Sequence, residues 1–316
     1  MPPRSPQGLG LALACLLLAA CGAGGSTSGT AAEPSPAPTA VDTPSPDDTP
    51  IPPTPTPSPI PGLVFGDEFD GPAGTPLDAS KWHCQTGGTG FGHDLLDYKT
   101  NCSDPLAPFF TTANARTDGR GNLVLSAIRE PVPWDVCWYG DCEYTSALLL
   151  TADTFRHRFG RFEIRMKTPP GRGLWPAFWM YGENADGLWG EIDLVEVIGR
   201  YPDTVFHAAH GPGFYADRVS ESWYVRQGII ADEFHTYVLD WRPGVLRYVV
   251  DGIQRVEITP DSLPRGARWP FDDIDVYMVL GVSVGSKASW SGTIDARTPF
   301  PAEMLVDYVR VTELAD

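Results

Sequence analysis

The segment Trp189-Gly190-Glu191-Ile192-Asp193-Leu194-Val195-Glu196-Val197-Ile198-Gly199 holds three acids in a run otherwise apolar enough for a buried strand. Glu191 and Asp193 are two residues apart and share a strand face, because side chains alternate with period two. Glu196 lies five residues beyond Glu191, so in a regular strand it points the opposite way. One extra residue, a β-bulge around Leu194-Val195, restores its parity and lines all three carboxyls on one face. Retaining glycoside cleavage uses two carboxyl groups about 5–5.5 Å apart. One attacks the anomeric carbon; the other protonates the leaving oxygen and then deprotonates water. Clustered acids cannot all ionise freely, so repulsion raises at least one pKa toward neutrality, as an acid catalyst requires. Asp193, between the glutamates, can share a hydrogen bond with one of them. Two other readings use the same residues, a solvated polar strand face or three ligands for a hard cation. The flanking Ile192, Leu194, Val195, Val197 and Ile198 weigh against a solvated face, since unpaired acids in a buried strand are costly.

Such a strand needs a sheet around it. Short runs rich in β-branched and aromatic residues recur at 122–127, 160–166, 236–241, 246–250 and 304–311, between Gly, Pro, Asn and Asp punctuation. Several alternate with period two, as half-buried antiparallel strands do. Val250-Asp251-Gly252-Ile253 is a hairpin turn signal. No long stretch shows helical periodicity. The expected fold is all-β, a jelly-roll β-sandwich of two curved antiparallel sheets whose concave face forms a cleft for a polymer chain.

Upstream of this head the chain reads as an export signal and a stalk. Arg4 precedes an apolar stretch, 9–20, too short to span a bilayer, and Leu18-Ala19-Ala20-Cys21-Gly22 resembles a bacterial lipobox. Residues 1–21 are therefore expected to be a lipoprotein signal peptide with Cys21 acylated. Residues 22–62 hold almost no large apolar side chains and twelve prolines from Pro34 to Pro61. They cannot bury enough surface to offset their ordering entropy, and form a disordered, semi-stiff stalk of up to ~120 Å. Residues 63–316 form the catalytic head. The chain carries 23 Lys and Arg against 40 Asp and Glu, a net charge of −17. That balance excludes nucleic acid as a partner and favours a neutral polysaccharide over a sulfated one. The membrane is met only through the lipid anchor, outside the cell, and the head is expected to be a monomer. Of six cysteines, Cys84, Cys102, Cys137 and Cys142 remain in the head, an even number in an oxidising compartment. Their spacing does not suit zinc, and two disulfides are expected. Cys137 with Cys142 would flank a tight tip and Cys84 with Cys102 would close a glycine-rich loop, though spacing leaves other pairings open.

The run Gly-Glu-Ile-Asp-Leu-Val-Glu resembles the E-x-D-x-x-E signature of glycoside hydrolase family 16, in the bulged form typical of endo-β-1,3-glucanases (laminarinases). Further matches follow in the family's order. They are Asp67-Glu68-Phe69, Tyr144-Thr145-Ser146-Ala147, Phe159-Gly160-Arg161-Phe162-Glu163, the run from Gly173 to Met180, His210-Gly211-Pro212-Gly213, Phe234-His235-Thr236-Tyr237, and Val306-Asp307-Tyr308-Val309-Arg310-Val311. The resemblance implies Glu191 as nucleophile, Asp193 as assisting acid and Glu196 as acid/base, with no cofactor for catalysis. It places Trp175, Trp179 and Trp189 near the cleft and His210 beside the acids, with Phe178 read as core. Trp290, in a late loop, is a further sugar-stacking candidate. His207 sits one position from where the family usually places another histidine, and no role is assigned to it. A structural calcium on Glu68, the Gly121 carbonyl and Asp307 is also implied, against a plain salt-bridged surface.

The chain departs from the family at His93-Asp94-Leu95-Leu96-Asp97-Tyr98-Lys99, at Gly281-Val282-Ser283-Val284-Gly285-Ser286, and at Leu148, where a basic residue is common. By the resemblance these positions border the family's sugar subsites, and they leave more than one polymer compatible with the same hydrolysis. The expected activity is endo-hydrolysis of β-1,3-glucan. The alternatives are mixed-linkage glucan, a β-galactan or transglycosylation on the same fold, and, in a different class, a non-catalytic glycan-binding lipoprotein.

Overall fold

Period-two alternation becomes one-sided burial. In the run from Gly160 to Lys167, Phe162, Ile164 and Met166 are fully buried while Arg161, Glu163, Arg165 and Lys167 face outward. The computed structural model describes residues 59–85, 109–137, 140–214, 219–224, 231, 233–285 and 290–315, with backbone only for 109–110, 133–137, 140–142 and 219–224. The strands are β1 (Leu63–Asp67), β2 (His83–Cys84), β3 (Phe109–Phe110), β4 (Ala115–Thr117), β5 (Leu123–Cys137) and β6 (Gly140–Ser146). Next come β7 (Leu148–Leu150), β8 (Gly160–Lys167), β9 (Leu174–Glu183), β10 (Trp189–Glu196), β11 (Thr204–His210) and β12 (Val219–Tyr224). The chain closes with β13 (Phe234–Arg242), β14 (Val245–Val250), β15 (Ile253–Ile258), β16 (Tyr277–Val284) and β17 (Ala302–Thr312).

They form two sheets. The larger runs β15-β14-β13-β8-β17-β5-β6-β3, with β1 on β17 and β4 on β5; the smaller runs β12-β11-β10-β9-β16-β7-β2. Pairing between named strands is antiparallel except for β3 with β6. Strand β17 serves as a hub. Its first half pairs with β5 and its second half with β1 along one edge, while β8 takes the other edge. The core lies between the sheets, where Phe162, Tyr237, Trp241 and Tyr248 of the larger meet Phe178, Met180, Ile192 and Leu280 of the smaller. Each such side chain stabilises the fold by roughly 1.5–3 kcal/mol through buried apolar area. The hairpin forms as expected, with Asp251 and Gly252 both at positive φ (50° and 76°) and Val250 paired to Ile253. The strand read at 122–127 continues to Cys137, past two prolines that interrupt the alternation and past two register shifts against β6.

The outer face of the larger sheet carries the residues of the implied calcium set. Arg310 grips Glu68 through two hydrogen bonds of 2.8 and 2.6 Å, and Asp307 is paired with Arg165. Both carboxylates of the implied calcium set are thus neutralised by guanidinium groups, and a cation would have to displace two charge-assisted pairs. Gly121 holds a positive-φ turn (86°) instead. The residues do not fit calcium as they stand, and the salt-bridged surface is what the structure shows. Among the described residues Cys84 has no disulfide partner; its Sγ lies 3.6 Å from the Gln85 and Thr111 carbonyl oxygens, and burial pushes its pKa up to about 11. Cys102, the side chains of Cys137 and Cys142, Cys21 and residues 1–58 lie outside the described residues.

Gly199 ends the apolar run that carries the acids. Its amide donates to the Leu174 carbonyl at 2.9 Å, and a Cβ there would collide with the Gly171 carbonyl oxygen. Backbone cannot yield as a side-chain tip can, so Gly199→Ala is expected to cost at least about 1–3 kcal/mol. Urea unfolding should show a lower midpoint with an unchanged slope.

Candidate active site

Strand β10 lies between β9 and β11, and both neighbours record one extra residue in it. Against β9, Asp193 pairs with Trp179 and Val195 with Phe178, so Leu194 has no counterpart. Against β11, Asp193 pairs with Ala208 and Glu196 with Phe206, so three steps on β10 span two on β11. Leu194 and Val195 are both fully buried in the inter-sheet core. The bulge lets two consecutive apolar side chains pack inward and returns Glu196 to the face of Glu191 and Asp193.

Strand β11 supplies the support. His210, paired with Glu191 in register, sets its Nε2 3.1 Å from Asp193 Oδ2 and 4.0 Å from Glu191 Oε1. Asp193 and His210 are buried, while 21% of the Glu191 side chain is exposed. On β9, Trp175 donates from Nε1 to Glu196 Oε1 at 3.0 Å. Two accessible glutamates therefore flank a buried Asp193–His210 pair. Glu191, Asp193 and His210 also form the one group of three metal-type ligands among the described residues, with ligand atoms within 4.8 Å of one another. That set substitutes an imidazole for Glu196, and hard cations favour an all-oxygen shell.

Alternation sorts the aromatic residues. Leu174, Phe178 and Met180 enter the core, and Trp175, Trp179 and Tyr181 take the face of the acids. Trp179 stands opposite Asp193. Trp290 meets Trp175 edge-on (5.6 Å, 83°) and Phe206 likewise (4.7 Å, 64°), which builds one aromatic wall beside Glu196. At the other end Trp189 stacks on Tyr181 (6.3 Å, 16°), and Tyr181 meets Tyr277, over whose ring Arg156 sits at 4.8 Å. The structure thus gathers Trp175, Trp179, Trp189, His210 and Trp290 around the acids. Phe206, Tyr181, Tyr277 and Arg156 were not singled out from sequence. Phe206 was within reach, since period two from His210 leads to it; Tyr181 follows Trp179 by the same rule.

His207 points to the other face. It is fully buried, its Nδ1 lies 2.7 Å from the Leu194 carbonyl oxygen, and its ring packs 5.1 Å from that of Tyr248. Desolvation lowers its pKa from 6.5 to about 4, so the imidazole is neutral near pH 7.

Residues 109–298 match the family model of Glycosyl hydrolases family 16. The chain belongs to that family. A beta-glucanase of Rhodothermus marinus is 34% identical over 79% of this chain and 84% of its own length. Among solved structures, the laminarinase catalytic domain of Thermotoga maritima MSB8 matches with a TM-score of 0.69 at 32% identity, covering 80% of this chain and 98% of that one. An endo-beta-1,3-glucanase of Pyrococcus furiosus matches at 0.70 and 32%, covering 80% and 95%. This family 16 chain is a glycoside hydrolase with the jelly-roll sandwich of those enzymes, and its chemistry needs no catalytic cofactor.

Burial of His207 carries a pH signature. Between about pH 6.5 and 4 the unfolded chain binds a proton on this residue and the folded enzyme does not, so stability falls as pH falls through that window. Below it both states are protonated and the contribution is flat. The full loss is on the order of 3 kcal/mol, since each tenfold difference in proton affinity between the two states is worth about 1.4 kcal/mol. His207→Asn cannot titrate, so urea unfolding at pH 7 and pH 4 should show the wild type losing about that much more stability than the variant.

Proposed function

We propose that this enzyme hydrolyses internal β-1,3 bonds of a neutral, laminarin-type β-glucan with retention of configuration, Glu191 acting as nucleophile and Glu196 as acid/base. The observation that carries the assignment is the one-residue bulge, which sets Glu196 on the face of Glu191 with the Trp175 indole N–H on its carboxyl group. In the first step Glu191 attacks the anomeric carbon as the glycosidic C–O bond breaks, and Glu196 gives its proton to the departing oxygen. In the second, Glu196 takes a proton from water, whose oxygen displaces Glu191 and releases the sugar. Asp193, braced by His210, sits between the glutamates and can share a proton with Glu191 in the step where that carboxylate forms or leaves the ester. The walls of Trp175, Trp290 and Phe206 and of Trp189 and Tyr181 offer flat rings to the C–H faces of sugars.

The strongly acidic chain suits an uncharged polymer, and several relatives that match over most of their length bear glucanase or laminarinase names. The lipobox-like run ending at Cys21 and the proline-rich segment behind it support export as a lipoprotein, the head tethered by a stalk on the outer face of the membrane. The mature protein incubated with laminarin, mixed-linkage glucan and β-galactans should release oligosaccharides from laminarin at the highest rate. Glu191→Gln should abolish release, and Glu196→Gln should lower kcat about 10²–10⁴-fold. A preference for galactan or mixed-linkage glucan would change the polymer. Binding without cleavage by the wild type would leave only a glycan-binding surface protein.

A further inference from the structure

Leu194 is the residue that the bulge adds, and it has no partner in register on either neighbouring strand. A buried carbonyl left without a donor costs about 1–3 kcal/mol. The donor here is a side chain. His207 lies on β11 between Phe206, opposite Glu196, and Ala208, opposite Asp193, and it points its Nδ1 at the Leu194 oxygen. A carbonyl oxygen can only accept, so Nδ1 carries the proton. Nε2 is buried and has no hydrogen-bond partner among the described residues, and desolvation keeps the ring neutral. The ring cannot drift. Tyr248 of the opposite sheet packs against it, and the Tyr248 hydroxyl donates to the Ala208 carbonyl at 2.8 Å.

We propose that His207 is a positioning residue for the acid/base: its Nδ1–H clamps the bulged Leu194 peptide and thereby sets the aim of Glu196, two residues further on. The inference rests on the assignment of Glu196 given above. Without the clamp the Leu194 peptide rotates in search of another donor, and Glu196 follows it. A misplacement of about 1 Å costs roughly 10²-fold in rate.

His207→Leu keeps an apolar side chain of similar bulk but donates nothing, whereas His207→Asn places an amide N–H near the Nδ1 position. On laminarin, His207→Leu should lose about 10²-fold in kcat with KM within about twofold, and His207→Asn should recover to within about fivefold of wild type. On a dinitrophenyl β-glycoside, whose leaving group departs without a proton, the burst of phenolate from His207→Leu should stay near the wild-type rate. A purely structural defect would slow both substrates alike. Full kcat in a folded His207→Leu, equal loss in both variants, or a slowed burst overturns the proposal. Should His207→Leu fail to fold, the ring ¹⁵N spectrum of the wild type decides, because a proton on Nε2 rather than Nδ1 excludes the clamp. Glu196→Gln measured alongside separates the two claims. If it still cleaves laminarin at the wild-type rate, the acid/base assignment itself fails, whatever His207 does.

Discussion

Side chains on a strand alternate, so two groups five residues apart cannot serve one substrate unless the strand gives up its regularity. The whole site depends on where β10 does so. The bulge leaves Leu194 out of both ladders, at the expense of backbone pairing worth about 0.5–1.5 kcal/mol per hydrogen bond. Two consequences offset that loss. Leu194 and Val195 both enter the core, each burial contributing roughly 1.5–3 kcal/mol, and the Leu194 carbonyl accepts a hydrogen bond from the imidazole of His207. The distortion is stable because the sequence places a pair of aliphatic residues at the point of distortion and a buried donor on the next strand.

The remaining strands of the smaller sheet hold that one in register. Because β9, β10 and β11 are each paired on both edges, the acids, Trp175 and His210 are held by backbone ladders rather than by loops. Strand placement suits chemistry that tolerates little error in position. It also divides the charges. On the outer face of the larger sheet, acids meet arginines in partly exposed pairs such as Glu68 with Arg310 and Asp307 with Arg165. On the face of the smaller sheet they meet an imidazole and an indole instead, and two glutamates stay accessible to substrate.

Sequence carried the parts of this arrangement that obey local rules. Period two exposed the strands at 160–166 and 304–311, Asp251-Gly252 marked a turn, and a parity conflict between Glu191 and Glu196 located the bulge. Relations between distant residues were not legible. Glu68 and Asp307 have the right chemistry for a cation, yet their partners Arg310 and Arg165 lie 242 and 142 residues away in the chain, beyond any local pattern. The function of His207 was hidden for the same reason. A histidine becomes a clamp only once β11 is known to lie beside β10 and the bulge is known to bring a carbonyl oxygen to its ring. Strand β5 ran past its predicted end because pairing with β6 overrode two prolines.

Position 207 also shows how little sequence change separates two roles. The family resemblance would set a histidine one residue away, and on a strand a shift of one residue moves a side chain to the opposite face. In this chain Phe206 occupies the face of the acids, packed on Trp290, and the wall beside Glu196 is apolar. The displaced imidazole goes beneath the strand, where burial removes its charge and leaves it only a hydrogen bond to give. An exposed histidine in that wall would contact sugar hydroxyls and titrate near neutrality. A buried one acts on substrate only through the backbone it holds, and its influence falls on rate rather than on binding. The same residue type, moved by one position, passes from recognition to geometry.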